Sequence, residues 1–363
     1  MTMILPPLLC RSHFLVLLLL AVATPLTAQD PPAKRLIEWG WDEPDTRFIR
    51  ENVRKMEEMP FDGLVFHVGS SKDGQFTWEM WGARKFDIEE FQPAVDDLKA
   101  TDFRRFTDRF LRVNVTPGNV DWFDDEGWAV VLNNFAVAAQ VAREGGCRGF
   151  MFDVEQYNAG LFDYGKQKRR DEKSFEEYGT VVRQRGREWM SEVNRRFPDI
   201  TVLLTFGYRI AQPPEGKSHA DSHYGLLADF LDGMLEACSE QTRIVDAWEY
   251  SYTYKERQQF EEAYTTIREK SVEWTAAPDK YRRHVAAGFG LWMDCRWRQV
   301  GWSLDDFTKN HFTPDEFEAA VRSALTVSDE YVWIYTEQPR WWTSERLPAE
   351  YVSALRRART GGK

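Results

Sequence analysis

The stretch Cys147-Arg-Gly-Phe-Met-Phe-Asp-Val-Glu-Gln-Tyr157 decides how the chain is read. It is an apolar run that closes on a pair of carboxylates one residue apart, Asp153 and Glu155. Side chains of an extended strand alternate between faces, so Gly149, Met151, Asp153 and Glu155 share one face and Phe150, Phe152 and Val154 the other. The second face suits packing under helices. The first turns from small to acidic at its C-terminal tip. Such a strand belongs in the middle of a parallel barrel, where functional groups stand at the C-terminal strand ends.

Outward from that strand, seven more segments read as strands: Leu36–Trp41, Gly63–Val68, Phe110–Thr116, Ile200–Tyr208, Ile244–Tyr250, Val285–Asp294 and Tyr331–Glu337. Between them Asp45–Met59, Phe91–Arg109, Asp125–Glu144, Ser174–Phe197, Tyr224–Cys238, Tyr254–Trp274 and Thr313–Thr326 carry apolar residues three and four apart, the helical spacing. Thr313-Pro314-Asp315-Glu316 is a helix start, Ser174 to Glu177 fits a capping box, and Pro348–Arg359 is a closing helix. This alternation predicts one α/β domain, a single (β/α)8 TIM barrel over residues 29–363. The longer inserts, Ser70–Phe86, Gln212–His223 and Arg296–Phe312, all leave C-terminal strand ends.

Taking the bulkier phase of each strand as facing the helices predicts what is left inside. Strand two keeps Val65 and His67; strand three keeps Arg112, Asn114 and Thr116; strand five keeps Thr205 and Gly207. Strand seven keeps Gly288, Gly290, Trp292 and Asp294, and strand eight Trp333, Tyr335 and Glu337. Small Ala247 inside strand six carries Glu249 with it, and for strand one Glu38, Gly40 and Asp42 are placed inside. The inner phase thus gathers Asp42, Asp153, Glu155, Glu249, Asp294 and Glu337 near strand tips. Arg112 needs an inward partner such as Glu38, because an unpaired buried charge is costly.

A net charge of −11 without basic clusters argues against nucleic acid or an anionic membrane as partner. Residues 1–28 read as a secretory signal peptide, with Arg11 before an apolar stretch from Phe14 to Val22 and a small-residue cleavage site at Thr27-Ala28. The stretch is too short for a spanning helix, so the expected location is secreted or periplasmic. Three cysteines remain beyond it, Cys147, Cys238 and Cys295, too few for a disulfide scaffold. The 15 tryptophans serve either a large core or stacking on the C–H faces of sugars; Trp292, Trp333, Trp341, Trp342, Trp78, Trp81 and Trp122 are the candidates for stacking.

Crowded carboxylates in a partly apolar pocket cannot all ionise, so at least one keeps its proton near neutrality. A protonated acid beside an ionised one is the equipment of glycoside hydrolysis. Glu155, outermost on strand four, is the expected proton donor, tuned by Asp153 beneath it, and Tyr157 stands within reach of either. Glu249 ranks first as the second carboxylate, then Asp294, then Glu337. Asp42, His67, Asn114, Tyr157, Trp292, Trp333, Tyr335, Glu337 and Trp341 are expected to bind an oligo- or polysaccharide.

Gly149-Phe-Met-Phe-Asp153-Val-Glu155 resembles the strand-four end of chitinase-like glycoside hydrolases, whose pattern is D-G-x-D-x-D-x-E. The Gly, the last Asp and the Glu are kept; Arg148 and Met151 stand where the pattern has its first two Asp. Trp333 is similar to that family's strand-eight tryptophan. The resemblance implies that Glu155 is the acid and that Asp153 helps a substrate acetamido group act as nucleophile. The other large group of barrel glycosidases carries Asn-Glu at strand four and Glu at strand seven, where this chain has Val154-Glu155 and Asp294.

No cofactor is expected: Gly-x-Ser-x-Gly elbow, phosphate loop and dinucleotide fingerprint are all missing from the sequence. His67 with Asp42, Asp153 and Glu155 would suit Mg²⁺, Mn²⁺ or Ca²⁺, which leaves a metal-dependent hydrolase or lyase as one alternative. A non-catalytic glycan-binding barrel is the other. The sequence does not fix the oligomeric state.

Overall fold

The computed structural model describes residues 1–2, 34–296 and 301–360, so the signal-peptide reading of residues 1–28 and part of the insert after strand seven lie outside the described residues. The described residues from Lys34 onward form one compact unit.

Its strands are β1 (Arg35–Gly40), β2 (Gly63–Phe66), β3 (Asp108–Asn114), β4 (Gly149–Asp153), β5 (Thr201–Leu204), β6 (Arg243–Asp246), β7 (Val285–Ala287), β8 (Phe289–Trp292) and β9 (Tyr331–Thr336). Every pairing is parallel, in the order β7-β6-β5-β4-β3-β2-β1-β9-β8. β7 and β8 are two halves of one passage on either side of Gly288: the first pairs with β6, the second with β9, and the ring closes through that glycine. A Cβ on Gly288 would stand 2.8 Å from Val245 Cγ1 and 3.0 Å from the Tyr331 carbonyl oxygen, so only glycine fits the seam. The result is the expected eight-membered (β/α) barrel.

Two apolar layers follow from strand alternation. Ile37, Trp39, Val65, Phe110, Met151, Leu203, Val245, Ala247, Ala286, Tyr331 and Trp333 fill the barrel. The opposite phase, including Leu64, Leu111, Phe150, Phe152, Val202, Leu204, Leu291 and Ile334, packs under the helices with most of the tryptophans. Each such buried side chain contributes roughly 1.5–3 kcal/mol. The inner phases read for strands two to eight hold within the strands. Strand one does not: Ile37 and Trp39 face inward, and Glu38 lies fully buried outside the barrel.

Helix Phe175–Arg196 begins with the expected capping box, Ser174 with Glu177, and helix Pro314–Val327 starts at Thr313 as expected, where Thr313 and Glu316 also form a capping box. The helix expected over Phe91–Arg109 stops at Ala100. Beyond it the backbone N–H groups of Arg104, Arg105 and Phe106 all donate to Glu57 Oε1 at 2.7–3.1 Å, a carboxylate-centred turn that replaces the last helical turns. The segment Tyr254–Trp274 is a helix, Arg257–Thr265, that passes through a π turn at Thr266–Lys270 into Ser271–Trp274. Among the described residues no helix is long and apolar enough to cross a membrane.

Candidate active site

At the C-terminal strand ends opens a cavity of about 960 Å³, at the upper end of the ~300–1,000 Å³ usual for ligand clefts. Asp153, Glu155 and Tyr157 form its β4 wall, and Glu249 with Tyr252 its β6 wall. His67, Arg112, Trp292, Tyr335 and Glu337 also line it, as does Trp78, one of the expected stacking candidates, together with Trp39, Trp41, Glu43 and Arg340, which sequence reasoning had not assigned to the pocket.

The β4 wall is a hydrogen-bonded chain. Asp153 accepts the N–H of Glu155 at 3.0 Å, and the Tyr157 hydroxyl lies 3.0 Å from the other Asp153 oxygen while also touching Glu155 Oε2. A hydroxyl carries one proton, so Tyr157 donates to one acid and accepts from the other. Asp153 is the one able to supply a proton: burial, and then the facing Glu155, push it up to about 7.

Glu249 reaches the pocket by a route alternation alone does not provide. β6 ends at Asp246, and Trp248 adopts a left-handed φ of 39° before a 3-10 turn, Glu249–Thr253. The kink is fixed by Asp246 Oδ1, which accepts the Trp248 N–H at 3.2 Å, and by Ser251, whose hydroxyl donates to the Trp248 carbonyl at 2.7 Å. Strained backbone of this kind persists where surroundings over-determine it, often at functional sites. Burial, followed by the charges of Glu155 and Asp153, raises Glu249 well above the usual carboxylate range, against a hydrogen bond from Tyr252.

Opposite these acids sits a network around Glu43, a residue missed because it follows the strand-one tip in what reads as a loop. Its carboxylate accepts from Trp39 Nε1 at 2.9 Å and lies 3.4 Å from both His67 Nδ1 and an Arg112 nitrogen. Burial works to raise Glu43, but these partners outweigh it and hold the acid below its ordinary value. Arg112 therefore pairs with Glu43, not Glu38, and stacks its guanidinium 4.5 Å over the Trp78 ring.

Several expected site residues stand elsewhere. Asp42 is outside the pocket, accepting the Trp342 N–H at 3.2 Å and facing buried Glu38, because β1 carries the opposite phase. Asp294 is 2% exposed and takes the N–H groups of Glu337 and Gln338 at 3.0 and 2.8 Å, since the chain turns after Trp292. Trp333 is below the pocket, donating from Nε1 to the Ala247 carbonyl at 2.9 Å. Asn114 is fully buried, bound to Thr116. Trp341 packs edge-on against Phe61 at 4.9 Å under the helices, and Trp81 and Trp122 are likewise core. The exposed aromatics at the rim are instead Trp41, Trp78 and Tyr157. Trp41 donates to the Tyr335 hydroxyl at 2.8 Å, which sets its ring on the pocket edge. Among the described residues no group of three or more His, Cys, Asp or Glu side chains is placed to hold a metal ion.

No family model matches the chain, and no curated protein matches it. Solved structures similar to it include a broad-specificity endoglucanase from Bacteroides salanitronis, at 9% identity over 85% of this chain and 84% of that one with a TM-score of 0.45. A β-mannanase from the blue mussel Mytilus edulis is similar at 8% identity over 90% and 92%, TM-score 0.45. A proposed sugar phosphate isomerase/epimerase from Anabaena variabilis is similar at 12% identity over 89% and 88%, TM-score 0.43. Likeness of this size transfers no activity, and the three differ in theirs.

Proposed function

We propose that this chain is an exported glycoside hydrolase in which a glycosidic bond is cleaved between the β4 and β6 walls of the barrel mouth. The observation that carries the reading is Glu249, a carboxyl that burial, and then the charges of Glu155 and Asp153 in the same cavity, push well above the ordinary carboxylate range. An acid that keeps its proton while another carboxylate faces it is the arrangement needed to protonate a leaving oxygen while the developing positive charge is met from the other side. The proton donor is accordingly assigned to Glu249 rather than to Glu155. Glu155, held by Tyr157, is the opposing carboxylate that attacks the anomeric carbon or directs water to it, and Asp153 tunes both. Trp41 and Trp78 offer rims for sugar rings.

The test uses Glu249→Gln and Glu155→Gln on a broad glycan panel and on a dinitrophenyl glycoside, whose leaving group needs no proton. Both variants should lose at least about 10²-fold in kcat on unactivated glycans. Only Glu249→Gln should recover on the activated substrate. Recovery by Glu155→Gln instead would reverse the roles, and undiminished turnover by both would reject the reading.

A further inference from the structure

Most charged groups lining the cavity are accounted for, Glu155 by its hydrogen bond from Tyr157. Glu43 is taken by Arg112 and His67, and Glu337 by Arg296 at 2.5 Å. Asp153 and Glu249 are raised by burial. Arg340 lines the same cavity, yet its Nη1 is buried without a hydrogen-bond partner. Behind it lie Glu38 and Asp42, near enough to feel its charge, but burial raises both carboxyls and each faces the other.

The turn that presents Arg340 is preset. Its N–H donates to the Glu345 carbonyl at 2.8 Å, and its carbonyl accepts the Ser344 N–H at 2.9 Å. Ser344 and Arg346 have φ of 64° and 52°, left-handed values that non-glycine residues hold only when surroundings impose them. Here Trp302 Nε1 donates to the Arg346 carbonyl at 2.9 Å, and Arg346 donates to Gln338 at 3.0 Å. A guanidinium nitrogen desolvated without an acceptor is costly. Its planar fork matches the paired oxygens of a carboxylate or sulfate, to which it can donate two parallel hydrogen bonds.

We propose that Arg340 forms a subsite for an anionic group on the bound sugar, the carboxylate of a uronic acid or a sulfate ester. This rests on the reading of the cavity as a glycan site, but not on its catalysis. The test is calorimetric or NMR-detected binding of methyl glucuronoside, glucose 6-sulfate and methyl glucoside to the wild-type chain, Arg340→Gln and Arg340→Lys. The wild type should prefer at least one anionic sugar over the glucoside by about ten-fold or more, with the better anion naming the source. Arg340→Gln should abolish that preference and Arg340→Lys keep part of it, and added salt should reduce it. Equal binding of all three sugars by the wild type, or a preference that survives in Arg340→Gln, would overturn the proposal. Because binding is read without turnover, a chain that prefers the anionic sugar yet cleaves no glycan sinks the hydrolase reading and leaves this one standing.

Discussion

The carbonyl of Thr205 accepts the backbone N–H of Glu249 at 3.0 Å, while the hydroxyl of the same threonine accepts the N–H of Val154, next to Glu155, at 3.2 Å. Thr205 is fully buried just past β5, between the two acid-bearing walls. One residue that carries neither charge therefore ties the backbone of the β4 wall, beside Glu155, to that of the β6 wall at Glu249.

Thr205→Val keeps the carbonyl and the shape but strips the Val154 N–H of its acceptor. A buried unpaired donor costs about 1–3 kcal/mol, so the melting temperature should fall. kcat should fall with it, more than KM rises, because the wall geometry and not the sugar contacts has changed. Thr205→Ser should restore both. A valine variant with wild-type kcat and stability would show the hydroxyl to be idle.

Asp246 faces the helix layer beside Leu231 and Tyr281, and burial pushes it up to about 7. Gly207 sits so close that a Cβ there would lie 2.1 Å from Asp246 Oδ2. Its folded value exceeds the ~3.9 of an unfolded aspartate, so the native state binds a proton that the unfolded state releases. Stability from this group is complete below pH ~4 and is lost as pH rises through about 7, a change on the order of 2–4 kcal/mol. Urea unfolding of Asp246→Asn should show a flatter stability profile between pH 4 and 7; an unchanged slope would refute the assignment.

For His67, burial lowers the imidazole value but the bond to Glu43 outweighs it, so the net shift is upward. The stabilisation is thus present below the ordinary histidine range and fades as pH rises past the raised value. In Glu43→Gln the His67 ring protons should titrate at lower pH by NMR, and Arg112 should lose its anchor over Trp78. About 1–2 kcal/mol of stability should go with it, less than for a fully buried pair, because His67 is 44% exposed. A His67 titration that does not move would break the link.

Trp41 is 60% exposed and Trp341 not at all, so the same substitution should separate binding from folding. Trp41→Ala should weaken glycan binding several-fold, about 1 kcal/mol of stacking, at little cost to the fold. Trp341→Ala should cost about 3–5 kcal/mol of stability. The converse pattern in thermal melts and binding titrations would reverse the two roles.

Much of the barrel was legible because most strands put bulky aliphatics on one phase and small or polar groups on the other. β1 misled because both its phases are apolar: Leu36 competes with Ile37 and Trp39, and an acid at Glu38 looks like a pocket residue when it is buried beside Asp42. Alternation also fails once a strand ends. Asp294, two residues past Trp292, turns away to hold the next loop, whereas Glu249 arrives inside only through the left-handed Trp248. Glu43 and Trp41 lie just past β1, where spacing carries no directional information, and Arg340 follows a proline in the loop after β9.

The interruption at Gly288 gives the ring a clasp. Neighbouring staves are laced along several residues, but here one passage bonds to β6 as far as Gly288, whose N–H donates to the Asp246 carbonyl at 2.9 Å, and to β9 from Phe289 on. Breathing should begin at this fastener, so amides of residues 285–292 should surrender their protons to deuterium ahead of those in β3 and β4, and Trp292 on the pocket wall should loosen with them.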